Sequence, residues 1–162
     1  MADLTNLESK LGEVMGLAMA AQAATEKVKG LAGDEPDLAP MLERMHEEAA
    51  ETESRCTSIV ETLEGKKTAI HEEAASTKRK GAEMMKIYLD ADSDALDGFE
   101  FLTMAEAGEV GHWHVLKQMN EGFREIDELC EWAIPIQERH FADINAATEQ
   151  LAGAEDPAAV AG

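Results

Sequence analysis

The chain has 162 residues, with 14 Lys and Arg against 34 Asp and Glu, a formal net charge of −20. That surplus of acid excludes nucleic-acid and anionic-membrane partners, which draw on Lys and Arg. A hydrophobic share of 44% is too large for a disordered acidic tail, and the length suits one domain with its own core.

Only 4% of the residues are aromatic and there are 4 Pro. Ala, Glu, Leu and Met dominate, a helical vocabulary, and no alternation typical of strands occurs. No apolar run reaches the roughly 18 residues of a membrane span. Val14 to Ala24 resembles a signal-peptide core, but Asp3, Glu8 and Glu13 make the preceding segment net acidic, so that reading is rejected. Cys56 and Cys130 form no CxxC and no framework. They read as two reduced, buried thiols of a cytoplasmic protein.

The first predicted helix runs from about Asp3 to Leu31. Leu4, Leu7, Leu11, Val14, Ala18, Ala21, Thr25 and Val28 recur three and four apart and keep one face toward a partner. Gly30, Gly33, Asp34, Glu35 and Pro36 break it, and Asp37 is placed to cap the next helix. The second helix repeats the spacing with Leu38, Leu42, Met45, Ala49, Thr52, Cys56, Ile59 and Leu63, and Gly65 ends or kinks it.

A weaker stripe of Ile70, Ala74, Thr77, Gly81, Met84 or Met85 and Tyr88 predicts a third helix over about Thr68 to Tyr88. At about 1.5 Å per residue it is as long as its neighbours and can carry the chain from one end of a bundle to the other. The order is then hairpin, crossover, hairpin, one established route to a four-helix bundle. The alternative is a continuous helix through Gly65 in an elongated coiled coil.

The run Asp90 to Asp94 offers caps for a fourth helix to about Asn120, and a fifth follows Gly122 from Arg124 to Leu151. Pro135 lies opposite the apolar stripe of the fifth helix, where its missing N–H falls on the wet side and a mild kink is expected. The expected domain is 1–152, with 153–162 an Ala-, Gly- and Pro-rich tail. His46-Glu-Glu-Ala-Ala50 recurs as His71-Glu-Glu-Ala-Ala75, but neither completes HExxH. Chance within two Ala- and Glu-rich helices explains the echo better than a thermolysin-type zinc site.

The fourth helix carries an anomaly. Its stripe of Phe99, Leu102, 106, 109, Trp113 and Leu116 has Glu at both 106 and 109. At about 100° per residue, both carboxylates point within the apolar face. His112 sits at the edge of that face, and the small residues Ala105, Ala107, Gly108 and Gly111 leave room around the acids. Two buried acids repel and need protons, cationic side chains or a metal. Glu-x-x-His on bundle helices is the pattern of di-iron and di-manganese carboxylate sites. Two other readings stay open: the acids are solvated, or one is neutral or paired.

Gln137 and His140 fall on the stripe of the fifth helix, at a depth matching Glu109, while Glu138 falls off it. The alternative for His140 is a satisfied core histidine. On the second helix, Glu43-Arg-Met-His46 is again Glu-x-x-His; His46 flanks the stripe and Glu43 points largely away. Glu26 flanks the first stripe. His71 and His114 read as surface residues.

Thr25-Glu-Lys27, Pro36 to Glu53, Asp97 to Leu116 and Gln137 to Ile144 together resemble the ferritin-like superfamily, which includes bacterioferritin and rubrerythrin. The resemblance implies an all-α, ferritin-like bundle of two helical hairpins joined by a helical crossover. It implies a di-metal centre of Fe or Mn, with Glu26, Glu43 and His46 from the first hairpin. Glu106 or Glu109 would follow, and then His140 with Gln137 or Glu138. Two departures stand out: Gln-x-x-His replaces the last Glu-x-x-His, and an extra Glu-x-x-His spans Glu109 and His112.

The implied function is iron oxidation or handling, or protection against peroxide, with metal ions and oxygen or peroxide as partners in a homo-oligomer. A ferroxidase- or peroxidase-type oxidoreductase is the corresponding enzyme class. The alternative is a metal-free interaction or stress-protective bundle, expected as a dimer, whose 9 Met are core filler. Exposure of Glu106 and Glu109 would favour it. Hemerythrin-like binding is more distant, because the five His do not converge on one level. A hydrolase has no Gly-x-Ser-x-Gly and a nucleotide enzyme no P-loop to stand on.

Overall fold

A computed structural model describes residues 2–33 and 35–161. Asp34, within the expected first break, lies outside them, as do the end residues of the expected domain and tail, Met1 and Gly162. The described residues form five helices and no strand: α1 (Asn6–Ala32), α2 (Leu38–Val60), α3 (Lys67–Tyr88), α4 (Ala95–Met119) and α5 (Arg124–Gly153). No helix among them is long and apolar enough to cross a membrane.

Local chemistry sets the helix ends. Thr5 and Glu8 form a reciprocal capping box at the start of α1, and Asp94 and Asp97 do the same for α4. Asp37 makes no capping bond with its side chain, so that expectation fails; its own backbone is already helical. The chain does not run on as helix past Gly65. A turn separates Val60 from Lys67, and Gly65 takes φ 78°, which favours glycine. That excludes the elongated coiled coil. Pro135 is exposed inside an unbroken α5, where the N–H it lacks leaves no buried group unpaired.

α1 and α2 are antiparallel, pinned by Lys29 Nζ to Glu43 Oε1 at 2.5 Å and Gln22 Nε2 to Glu53 Oε2 at 2.5 Å. α4 and α5 form the second antiparallel pair, with Thr103 and Thr148 hydroxyls 2.9 Å apart and Asn120 Nδ2 donating to Asp127 at 2.7 Å. The pairs meet through α1 against α4 and α2 against α5. The Arg55 guanidinium lies 4.0 Å from the Trp132 ring centre across the second contact.

α3 runs back along the outside of α1, parallel to it. The approach is close because Gly16 has no side chain. A Cβ there would stand 2.4 Å from the Ala74 carbonyl oxygen and 2.6 Å from Thr77 Cβ. Farther along, Gly81 faces Ala20. α3 is thus held by α1 and meets α4 only sparingly.

The core has two apolar clusters. One holds Leu11, Val14, Cys56, Val60, Ile70, Trp113 and Cys130; the other holds Val28, Leu42, Met45, Phe99, Leu102 and Ile144. Along α4, Glu106 and Glu109 fall between the clusters, and along α5 Gln137 and His140 do. A polar layer therefore divides the interior at mid-height.

Candidate functional site

The helical period sets this layer. Leu102, Glu106, Glu109 and Trp113 share one face of α4, as Ala133, Gln137, His140 and Ile144 share one face of α5. Because the two helices pack along those faces, Glu106 keeps 2% exposure, Glu109 4%, Gln137 1% and His140 3%. The solvated-acid reading is overturned: the phase places both carboxylates inside.

His140 stands between two acids. Its Nδ1 lies 3.8 Å from Glu106 Oε2, and its Nε2 lies 3.4 Å from Glu48 Oε2 on α2. Glu48 is partly buried and also takes an ion pair from Arg139. Five buried side-chain atoms in this region have no hydrogen-bond partner: Glu106 Oε2, Glu109 Oε1, Trp113 Nε1, Gln137 Oε1 and His140 Nε2. Native interiors rarely leave so many polar atoms orphaned together.

The electrostatics follow from burial. Desolvation, then repulsion from Glu109, holds the Glu106 carboxyl well above the usual carboxylate range. Desolvation pushes Glu109 up to about 7; the nearby Trp113 indole pulls the other way, although it lacks hydrogen-bond geometry. Burial lowers His140 despite the opposing attraction of Glu48. Burial thus favours the protonated form of the acids and the neutral form of the imidazole, which keeps a free nitrogen lone pair.

The other candidates lie elsewhere. Glu26 and Glu43 are exposed, and Glu43 is paired with Lys29. His46 is half-buried, with Nδ1 3.0 Å from the Gln22 carbonyl oxygen and 3.3 Å from Thr25 Oγ1. The carbonyl accepts, so the proton sits on Nδ1 and Nε2 is left as acceptor. His46 and Glu26 line shallow clefts beside Glu43, Glu53 and Lys78. His112 is partly exposed and turns to Glu13 Oε2 at 3.2 Å and Lys10 Nζ at 3.1 Å. Glu138 is exposed and faces His114 Nε2 at 3.2 Å.

The structure thus brings together Glu106, Glu109, Gln137 and His140, and adds Glu48. It does not bring Glu26, Glu43 or Glu138 to them, because each points to solvent or to a surface ion pair; His112 borders a cleft with Glu106 and Glu109, but its Nδ1 turns to Glu13 and Lys10. Among the described residues, no group of three or more His, Cys, Asp and Glu is already gathered around one point as a metal site. Glu48 lies outside the Glu43-x-x-His46 motif, so the motif does not single it out. The signal was present, since 48 lies three after Met45 and four before Thr52, both on the α2 stripe.

No protein-family model, curated protein or solved structure matches the chain.

Proposed function

We propose that the protein is a ferritin-like carboxylate bundle that binds Fe or Mn in its central polar layer and handles iron or peroxide there. The observation that carries the reading is the set of orphaned acceptors Glu106 Oε2, Glu109 Oε1 and Gln137 Oε1, with the Nδ1 edge of His140 facing Glu106. Carboxylate, amide and imidazole form a donor set suited to those ions. A divalent cation would replace the protons that burial now forces on the acids.

Glu106 and Glu109 would hold the cation and balance its charge. His140, neutral in the folded chain, would offer nitrogen, while Glu48 orients the ring from its far side. Gln137 would supply a neutral oxygen. Bound iron or manganese would contribute Lewis acidity and a change of oxidation state toward oxygen or peroxide. The order of two antiparallel pairs joined by α3 is compatible with this family type, and the acidic surface would concentrate Fe(II). Glu26, Glu43 and His46 would join a second ion only after α1 and α2 side chains rearrange.

One observation favours a metal-free interaction bundle as the second reading: among the described residues, no three metal-ligating side chains already converge. In that case the protonated acids are the resting state of the layer, and a dimer is the expected form.

Metal content by mass spectrometry decides between them, on untagged protein from iron- and manganese-supplemented medium. About two Fe or Mn per chain, lost in Glu109→Ala, is the expected result. Absence of stoichiometric metal from a chain with intact helical circular dichroism would overturn the metal reading.

A further inference from the structure

The acids of α4 also border a cleft between α1, α3 and α4, distinct from the contacts with α5. Its volume is about 240 Å³. The cleft lies where α3 is drawn onto α1 at Gly16 and Gly81, and where α4 presents the small residues Ala105 and Gly108 among its lining side chains. A Cβ on Gly108 would meet nothing within 4 Å. The walls are apolar, among them Ala20, Ala24, Met85, Phe101 and Leu102, and Glu106 and Glu109 complete the lining. Exposed Met84 and Met104 belong to the same lining, and exposed Tyr88, its ring 6.1 Å from that of Phe101, extends the apolar surface.

We propose that this cleft binds a primary alkylamine, its ammonium group between Glu106 and Glu109 and its chain along α3 and α4. Three features select that chemistry. Glu109 Oε1 is a buried acceptor without a donor, Glu106 stands beside it in the lining although its Oε2 faces His140, and an ammonium brings three N–H groups. Its positive charge meets two acids that no cationic side chain of the lining serves: Lys78 is exposed, and His112 is turned to Glu13 and Lys10. The apolar walls reward an aliphatic chain and give nothing to a hydrated ion. A fatty acid would set a third carboxylate against the pair.

This inference goes beyond the metal reading and is tested without metal. Chelator-treated full-length protein is titrated with n-octylamine by calorimetry and by tryptophan fluorescence, since buried Trp113 neighbours Glu109. The expected result is saturable binding of one amine per chain. Octanol and octanoate should bind at least about tenfold more weakly, because a charge-assisted hydrogen bond is lost. Glu106→Gln should weaken the amine by a similar factor. Gly108→Leu fills the cleft from an open position, so it should abolish amine binding while the metal content of the supplemented protein stays as it was.

Absence of amine binding would overturn the proposal. Equal binding of octanol, or amine binding unchanged by Gly108→Leu, would overturn it too, as would a dimer that occludes the cleft and resists the amine. Failure of the metal reading appears instead as absent metal in the supplemented protein, so the two outcomes are separable.

Discussion

His140 Nδ1 and Glu106 Oε2 lie 3.8 Å apart at the centre of the α4–α5 pair, beyond hydrogen-bond reach, and both are almost fully buried. The spacing leaves the carboxyl without the partner that would compensate its charge, so burial governs it. The two acids are better accommodated protonated, and the pH dependence of stability follows in sign. Raised acid pKa values mean that the folded chain binds more protons than the unfolded chain between the ordinary carboxylate range and about 7 for Glu109. Their stabilising protons are fully in place at low pH and are lost as pH rises through the folded values. His140, lowered, works oppositely: its contribution is full above its unfolded value and is lost as pH falls through the folded one.

Metal-free protein should therefore gain thermal stability as pH falls from 8 to 6.5, before His140 begins to oppose the trend. Glu106→Gln should raise the melting temperature at pH 8 by several degrees, an effect of roughly 1–3 kcal/mol, and flatten the slope. Calorimetric scans of both proteins across that range check this. A steeper slope in the variant would contradict the assignment.

The seam between α1 and α3 makes a second prediction. Gly16→Ala drives a methyl group against the Ala74 carbonyl, which is backbone and cannot swing aside. The expected loss is roughly 1–3 kcal/mol. Gly111, exposed on α4 with nothing within 4 Å of a new Cβ, gives the opposite sign. Gly111→Ala should stabilise by about 0.5–1 kcal/mol through helix propensity and the entropy of the unfolded chain. Chemical denaturation of the two variants side by side tests the pair.

Much of this was legible in the sequence because helical periodicity is a strong signal. Five helices were placed to within a few residues, and the burial of Glu106, Glu109, Gln137 and His140 followed from phase alone. Asp37 misled, because a capping residue type does not ensure capping geometry. The distances of Glu43 and Glu138 from the layer were legible as phase, whereas the loose match of motif to family drew them in as candidates. Two features needed coordinates. Glu48 reaches His140 only through the packing of α2 on α5, and the cleft beside Glu106 depends on how closely Gly16 lets α3 approach α1. Periodicity reports which face is buried, not which helix covers it.

The two cysteines yield a direct chemical test. Both thiols are free and buried. Burial raises Cys56 above the ordinary thiol range and pushes Cys130 up to about 11, so neither carries appreciable thiolate at pH 8. A thiol reagent should leave the native protein unmodified over many minutes and label two sites per chain promptly in denaturant. Rapid labelling of the native chain would show that the α2–α5 contact opens readily.

Gln137 offers the sharpest separation of the two functional readings, because the sign of its replacement depends on metal. Gln137→Glu completes Glu-x-x-His on α5 and adds a further carboxyl beside Glu106, Glu109 and Glu48 in a layer already short of compensating charge. Without a cation it adds a desolvation cost and repulsion, and the metal-free chain should lose roughly 1–3 kcal/mol. With a cation it exchanges a neutral oxygen for an anionic ligand, and affinity for Fe(II) or Mn(II) should rise by about tenfold or more. Melting curves with and without Mn(II) read both arms, because a ligand that binds only the folded state raises the transition. Under the metal reading, Gln137→Glu melts below the parent when metal-free and gains more from Mn(II). If it is destabilised equally with and without the ion, the layer is not a metal site, and the protonated acids are its working form.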